Sequence, residues 1–277
     1  MTTPAFWYAV EAVHAPVYFA DDEAVERFGA LGLKGFWMGY FASRSAALGT
    51  PGPEIVTALF HGFAPGMVAR ALPDAWSFAD RGAILDTRLE LARDRLAPVA
   101  TDVEPIVAHL ADVLRRADFA GKALAAAHAA LPIPDDAIAA LWRHATVLRE
   151  LHGDAHVAVL TAAGLDGATA NALAAAAGVV PPGQQQKRGW DDAAWDHAHE
   201  QLHMRGWVDE WRAITEAGRS ARARIEETTH RVANAALGDR EAVARTIAAT
   251  GPLVALATRI GEAGLVPHPN PTGVPAA

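Results

Sequence analysis

The chain has 277 residues, 51% of them hydrophobic and 20% charged, which is enough apolar material for a full core and too much for a disordered protein. Its 32 acidic side chains outnumber 24 basic ones, and the net charge of −8 removes any global attraction to phosphate backbones or anionic lipid. With no cysteine, disulfides, thiolate metal sites and a cysteine nucleophile are excluded.

The opening residues lack a basic segment followed by an apolar one, and charge or Gly/Pro interrupts every apolar stretch before about 18 residues, the length a spanning helix needs. A soluble, cytoplasmic protein without membrane contact is expected. Apolar positions recur at three and four, which predicts helices over 21–31, 36–48, 53–61, 65–72, 81–97, 103–117 and 121–130. Further helices are predicted over 134–163, 168–178, 191–205, 216–236 and 240–263. Asp21 and Asp22 are candidate caps for the first, Pro53 suits a first turn, and Asp135 and Asp136 place acid at the positive end of the longest helix. The best extended segments, 207–209 and 211–214, are short enough to make only a small β-ribbon turning at Asp209 and Glu210.

Gly32-Leu33-Lys34-Gly35 and Gly164-Leu165-Asp166-Gly167 each open a helix that is followed by a Pro/Gly-rich connection, at an offset of 132 residues. Two similar halves follow: residues 1–131, a helical pseudo-winged-helix half, and 132–265, with 266–277 as a flexible Pro-rich tail. Such a duplication would satisfy its own association surface, so a monomer is favoured over a homodimer.

In the second half a short helix, a loop, a helix ending Arg205-Gly206-Trp207-Val208, and Ile214-Thr215-Glu216-Ala217-Gly218 opening a long helix are similar to the MarR-type winged helix-turn-helix. That resemblance implies a recognition helix over 191–205 and a β-wing after it. The helix carries Asp191, Asp192, Asp196 and Glu200 against Arg205 alone, which disfavours DNA reading. Basic residues beside it, Lys187, Arg188, Arg219, Arg222 and Arg224, are candidates for backbone contacts.

Almost the whole chain resembles the actinobacterial SalK-like helix-turn-helix family. The resemblance rests on His14-Ala15-Pro16-Val17-Tyr18-Phe19, on 32–49, on Leu72-Pro73-Asp74-Ala75-Trp76, on 148–160 and on Arg188-Gly189-Trp190 through Trp195. The chain departs from it at Ala47, where proline is expected, at His152 for arginine and at Ala155 for glycine. The family implies a mainly α protein of tandem winged helix-turn-helix-like halves with a small β-wing, and leaves the biochemistry open.

The densest polar cluster lies inside an apolar helix, from Arg149 through Glu150, His152, Gly153 and Asp154 to His156. Glu150 and Asp154 share one face, as do His152 and His156. Gly153 costs about 1 kcal/mol there relative to alanine, which suggests a close approach by a backbone or a ligand. Buried charges persist only when paired. A salt-bridge network and a ligand site therefore remain alternatives for Arg149, Glu150, Asp154 and His156. His14, Tyr18, Trp37, Tyr40 and Arg44 supply aromatic and cationic material for a pocket wall, with Arg44 either meeting an anion or capping its helix. No metal or other cofactor is expected, the pair His152 and His156 being a weak metal alternative because the glutamate of the H-E-x-x-H pattern is missing.

Three functions remain. The first is a small-molecule-binding, regulatory or accessory protein with its ligand between the halves. The second is a MarR-like DNA-binding transcriptional regulator. The third is an enzyme using His156 as acid/base with Glu150 or Asp154 orienting it.

Overall fold

The computed structural model describes residues 4–238, 240–268 and 270. Among the described residues fifteen α-helices follow in chain order: α1 (Pro4–His14), α2 (Asp21–Ala30), α3 (Gly35–Ser45), α4 (Pro53–Leu59), α5 (Pro65–Ala69), α6 (Ala75–Phe78), α7 (Arg81–Leu96) and α8 (Glu104–Leu114). Then come α9 (Ala123–Ala129), α10 (Ala137–Ala162), α11 (Gly167–Ala176), α12 (Gln184–Arg188), α13 (Asp192–Met204), α14 (Glu216–Ala236) and α15 (Arg240–Glu262). Asp136, expected as acid at the positive end of α10, also caps it, accepting the amide of Ala139 at 2.8 Å. The cap expected at Asp21 fails, because Asp21 is the first residue of its helix and Ala20 precedes it uncapped by any side chain.

Helix α10 is the axis. It packs on α1, α7, α8, α9 and α14. Its first four turns are buried almost all round, Arg143, His144 and Thr146 together with Leu141, Trp142, Ala145 and Leu148, as in a helix enclosed on every side. Helix α1 is likewise enclosed, with Phe6, Trp7, Val10 and Val13 buried against α10 and α15. One apolar core therefore gathers residues from 6–155 and 233–266, joining the first helix to the last.

A second, smaller core lies under the far end of α10. Leu160, Leu165, Ala168, Ala172 and Leu173 pack there with Ala198, Leu202, Val208 and Ile225, holding α11, α13 and the start of α14. The expected β-ribbon is reduced to one antiparallel bridge between Val208 and Ile214, with no strand among the described residues. Asp209 explains why. Its carboxylate accepts the amides of Trp211 (3.0 Å) and Ala213 (2.8 Å), closing the turn so tightly that no room remains for a ladder.

No single helix among the described residues is long and apolar enough to cross a membrane. The Pro-rich tail 266–277 falls mostly outside the described residues.

The two cores meet where the loop after α4 touches the start of α11. The Gly167 Cα faces the His61 carbonyl with no space for a methyl group, and Trp190 closes the other side. Gly167→Ala should therefore destabilise the protein by about 1–3 kcal/mol through overpacking. A thermal melt checks this, and an unchanged melting temperature would show that the junction yields freely.

Candidate functional site

Between α3 and α4 on one side and α11 and α12 on the other lies a cavity of about 300 Å³, floored by α10. Tyr18, Tyr40, Arg44, Arg149, Glu150, Asp154 and His156 all line it, as does His61. The sequence cluster on α10 and the aromatic helix α3 are thus brought together across more than a hundred residues.

Glu150 is the organising charge. It is 1% exposed, and both carboxylate oxygens accept the Arg44 Nη2 at 3.0 Å. Arg149 Nη1 donates to Glu150 Oε2 at 2.7 Å, and its Nε reaches Glu11 at 3.1 Å. Burial alone would raise the Glu150 pKa; Arg149 and Arg44 overcome that and hold it well below the usual carboxylate range. Arg44 does not cap its helix, against the simpler expectation. Its Nη1 donates to the Tyr40 hydroxyl at 3.0 Å, and its guanidinium stacks 4.1 Å above the Phe60 ring.

His14 and Trp37 stand behind the wall rather than in it. The Thr146 hydroxyl donates to the Trp142 carbonyl at 2.8 Å, so it accepts from His14 Nδ1 at 3.0 Å. His14 Nε2 then accepts from the Tyr18 hydroxyl at 2.7 Å, and that oxygen receives Arg88 Nη2 at 2.8 Å. Trp37 packs edge-on against Tyr40 and Phe63, at 5.4 and 5.7 Å between centroids.

The carboxylates do not serve His156. Asp154 Oδ2 accepts the amides of Leu124 and Ala125, both at 3.0 Å, and so holds the start of α9. Burial, reinforced by Glu150, pushes the Asp154 pKa up to about 6 against the pull of those two amides. His156 Nδ1 donates to Thr229, whose hydroxyl is committed to the Ile225 carbonyl. This fixes the tautomer and leaves Nε2 as an acceptor. Neither Glu150 nor Asp154 orients His156 by a hydrogen bond, among the described residues. His152 and His156 also part company, since His152 Nε2 meets His230 Nδ1 at 3.0 Å. Among the described residues no three histidine or carboxylate side chains gather as a metal site.

Gly153 needs no close backbone. A Cβ there would meet only Arg149 Nη1 at 3.6 Å and Glu150 Oε2 at 3.7 Å, ordinary contacts. Its missing side chain leaves the cavity floor open beside the ion triad.

Sequence reasoning missed Phe60, Phe63, Asn171 and Gln184, which line the cavity, and assigned Arg188 to a nucleic-acid backbone. Arg188 is turned inward instead, 4.4 Å above the Phe63 ring. Its backbone carbonyl accepts the Ala64 amide, and Trp190 Nε1 donates to Gly62, so α12 and the loop after α4 are stitched together. The signal was there: a basic residue in Arg188-Gly189-Trp190 borders an aromatic that needs a buried partner.

On the outer surface, α11, the short α12 and α13 form a helical corner. Helix α13 buries Ala198 and Leu202 and turns its acidic face outward. A profile described as a helix-turn-helix family matches residues 3–267, and the chain belongs to that family. No curated protein and no solved structure matches the chain significantly.

Two outcomes follow from these charges. Glu150→Gln leaves two guanidinium groups without their shared anion and should destabilise by about 3–5 kcal/mol in a chemical denaturation series. A change below about 1 kcal/mol would mean that the triad is dispensable to the fold.

Acid should also weaken the protein. Burial first, and then neighbouring cations, hold His14, His128, His152 and His156 below the ordinary value of 6.5, His128 and His152 at about 3. Their stabilisation is complete above pH 6.5 and is lost as pH falls, by about 1.4 kcal/mol per pH unit for each proton the unfolded chain takes up. Asp154 acts oppositely, because the folded state gains stability as pH falls from about 6 towards 3.8. Four histidines outweigh one carboxylate, so the melting temperature should fall between pH 7 and pH 5. A flat or rising profile contradicts the neutral assignment.

Proposed function

We propose that this helix-turn-helix protein binds a small molecule in the cavity between its two halves, 1–131 and 132–265, in a regulatory or accessory role. The observation that carries the reading is the cavity over the Arg44–Glu150–Arg149 triad, floored by a helix that keeps glycine where alanine would fit. Its walls come from both halves, from Tyr40 and Phe60 on one side and Asn171 and Gln184 on the other.

The reading includes a tandem winged-helix ancestry, MarR-like in its second half and similar in sequence to the actinobacterial SalK-like group. Gly35 and Gly167 open α3 and α11 at the same 132-residue offset as Gly32 and Gly164. Packing is reciprocal: α1 lies on α15 as α10 lies on α8, while α1 meets α10 and α8 meets α15. That is the pattern of an isologous dimer folded within one chain. The contact between His14 and Thr146, 132 residues apart, falls where such a two-fold axis would pass. The chain is accordingly a monomer in a cytoplasmic setting, and light scattering at micromolar concentration should give 29.2 kDa. A mass near twice that value overturns the pseudo-dimer.

Transcriptional regulation through DNA is the second reading, and the surface charges speak against it. Arg205 donates to the Ala163 and Gly164 carbonyls at the end of α10. Arg212 pairs with Asp196 at 2.7 Å, Arg219 with Glu216 and Arg222 with Glu226. Cations already held in this way release few counterions from a duplex.

Gly153→Ala separates a ligand site from a purely structural cluster. The methyl group should stabilise α10 by up to about 1 kcal/mol while narrowing the cavity. Wild-type protein should gain melting temperature on adding the small-molecule fraction of a cell extract, and Gly153→Ala should start higher and gain less. Equal gains in both proteins, or none in the wild type, count against the reading, and submicromolar binding of a defined duplex promotes the DNA regulator.

A further inference from the structure

The cavity has chemically distinct ends, and they specify what it takes. At one end two guanidinium groups converge on a neutral hydroxyl. Arg44 donates to Tyr40 at 3.0 Å, and Arg188, half-buried over Phe63, also interacts with Tyr40. Burial opposes ionisation of Tyr40, yet Arg44, Arg188 and Arg149 draw its pKa below the ordinary value, which marks a region of strong positive potential. Arg88 adds to it from behind. It is 2% exposed, donates to the Tyr18 hydroxyl and the Ser43 carbonyl, and forms no salt bridge among the described residues.

The acids do not balance this end. Glu150 is shared by two arginines, and Asp154 Oδ2 is turned to the amides of α9. Arg44 Nε, moreover, is a buried donor with no acceptor. Both guanidiniums are stacked on phenylalanine rings, Arg44 on Phe60 and Arg188 on Phe63, which fixes their donor forks in place.

The other end offers an acceptor whose identity the hydrogen bonds decide. Asn171 Nδ2 donates to the carbonyls of Gly62 (2.9 Å) and Gly167 (2.7 Å), so its oxygen must accept, and it takes Gln184 Nε2 at 2.7 Å. Gln184, 4% exposed, is left with a buried Oε1 that has no donor. A buried polar atom without a partner is costly unless a ligand or water completes it.

We propose that the cavity takes a small organic oxyanion, a carboxylate or phosphate seated between Arg44 and Arg188 beside Tyr40, with its apolar body along Val157 and Val180 and a hydroxyl or amine donating to Gln184 Oε1. This rests on the ligand-binding reading above and adds the chemical class. The volume of about 300 Å³ suits a single-ring acid and excludes a dinucleotide. Guanidinium recognition of a carboxylate or phosphate is bidentate and charge-assisted, so most of the discrimination against a neutral analogue arises there.

Thermal-shift and calorimetric titrations with benzoate, 4-hydroxybenzoate and phenyl phosphate test the class, against benzamide and benzylamine as neutral and cationic counterparts. In parallel, a cell extract is split on an anion exchanger at neutral pH. The oxyanions, and the retained fraction, should raise the melting temperature; benzamide, benzylamine and the flow-through should not. Arg188→Gln should weaken oxyanion binding at least about tenfold. Gln184→Leu, which leaves the arginines intact, should abolish the preference for 4-hydroxybenzoate over benzoate. Circular dichroism confirms that each variant is folded, and Tyr40→Phe provides a second change at the cationic end if Arg188→Gln is not. Stabilisation by the flow-through or by benzylamine overturns the anion assignment while the cavity remains a ligand site. No shift with any probe or fraction overturns both.

Discussion

One carboxylate ties the central helix to the first part of this chain. Glu150 sits at the middle of the central helix with almost no access to water, and a carboxylate there survives only because Arg44 and Arg149 neutralise it. Each arginine in turn fixes something else. Arg44 sets α3, Tyr40 and Phe60, while Arg149 reaches Glu11 on the first helix. The cavity is the space that remains when these long side chains are tied to one point rather than packed by hydrocarbon. An apolar core of equal volume would close it.

The distribution of charge is inverted from surface to interior. The chain carries a net −8, yet the buried charged side chains include Arg44, Arg88 and Arg143 against Glu150 and Asp154. Burial first, and then Arg88, lower the Arg143 pKa to about 10. His128 is buried among the same groups beside the Arg44 backbone, and burial and then Arg88 hold its pKa down at about 3, so it remains neutral. Such an interior favours negative charge brought from outside and disfavours further protonation. The acidic outer face of α13 works the other way and repels a polyanion. On the proposal above, the same protein presents opposite electrostatic preferences to a small anion and to a duplex.

Much of this arrangement was legible. A long apolar helix does not carry arginine, glutamate, aspartate and histidine within eight residues unless they are paired or used, and Arg44 is the counter-charge that the first half offers. What escaped is equally physical. Helix α1 gives no amphipathic stripe because it is buried on nearly every face. Arg188 reads as a surface cation because sequence does not tell which way a five-residue helix turns. The two wing segments satisfy a strand pattern, but Asp209 closes its turn on itself and leaves a single bridge. Gly153 was legible as an anomaly and illegible as to cause; only the open floor beside Arg149 and Glu150 supplies it.

The central claim is that this floor is open because something small rests on it. Native mass spectrometry of the protein isolated from its own cells, compared with the same sample after acid unfolding, addresses that claim most directly. The account predicts a folded species heavier than the chain by one small, anion-forming molecule that is released on unfolding. Identical masses before and after unfolding, at 29.2 kDa and in protein never exposed to denaturant or prolonged dialysis, would contradict it.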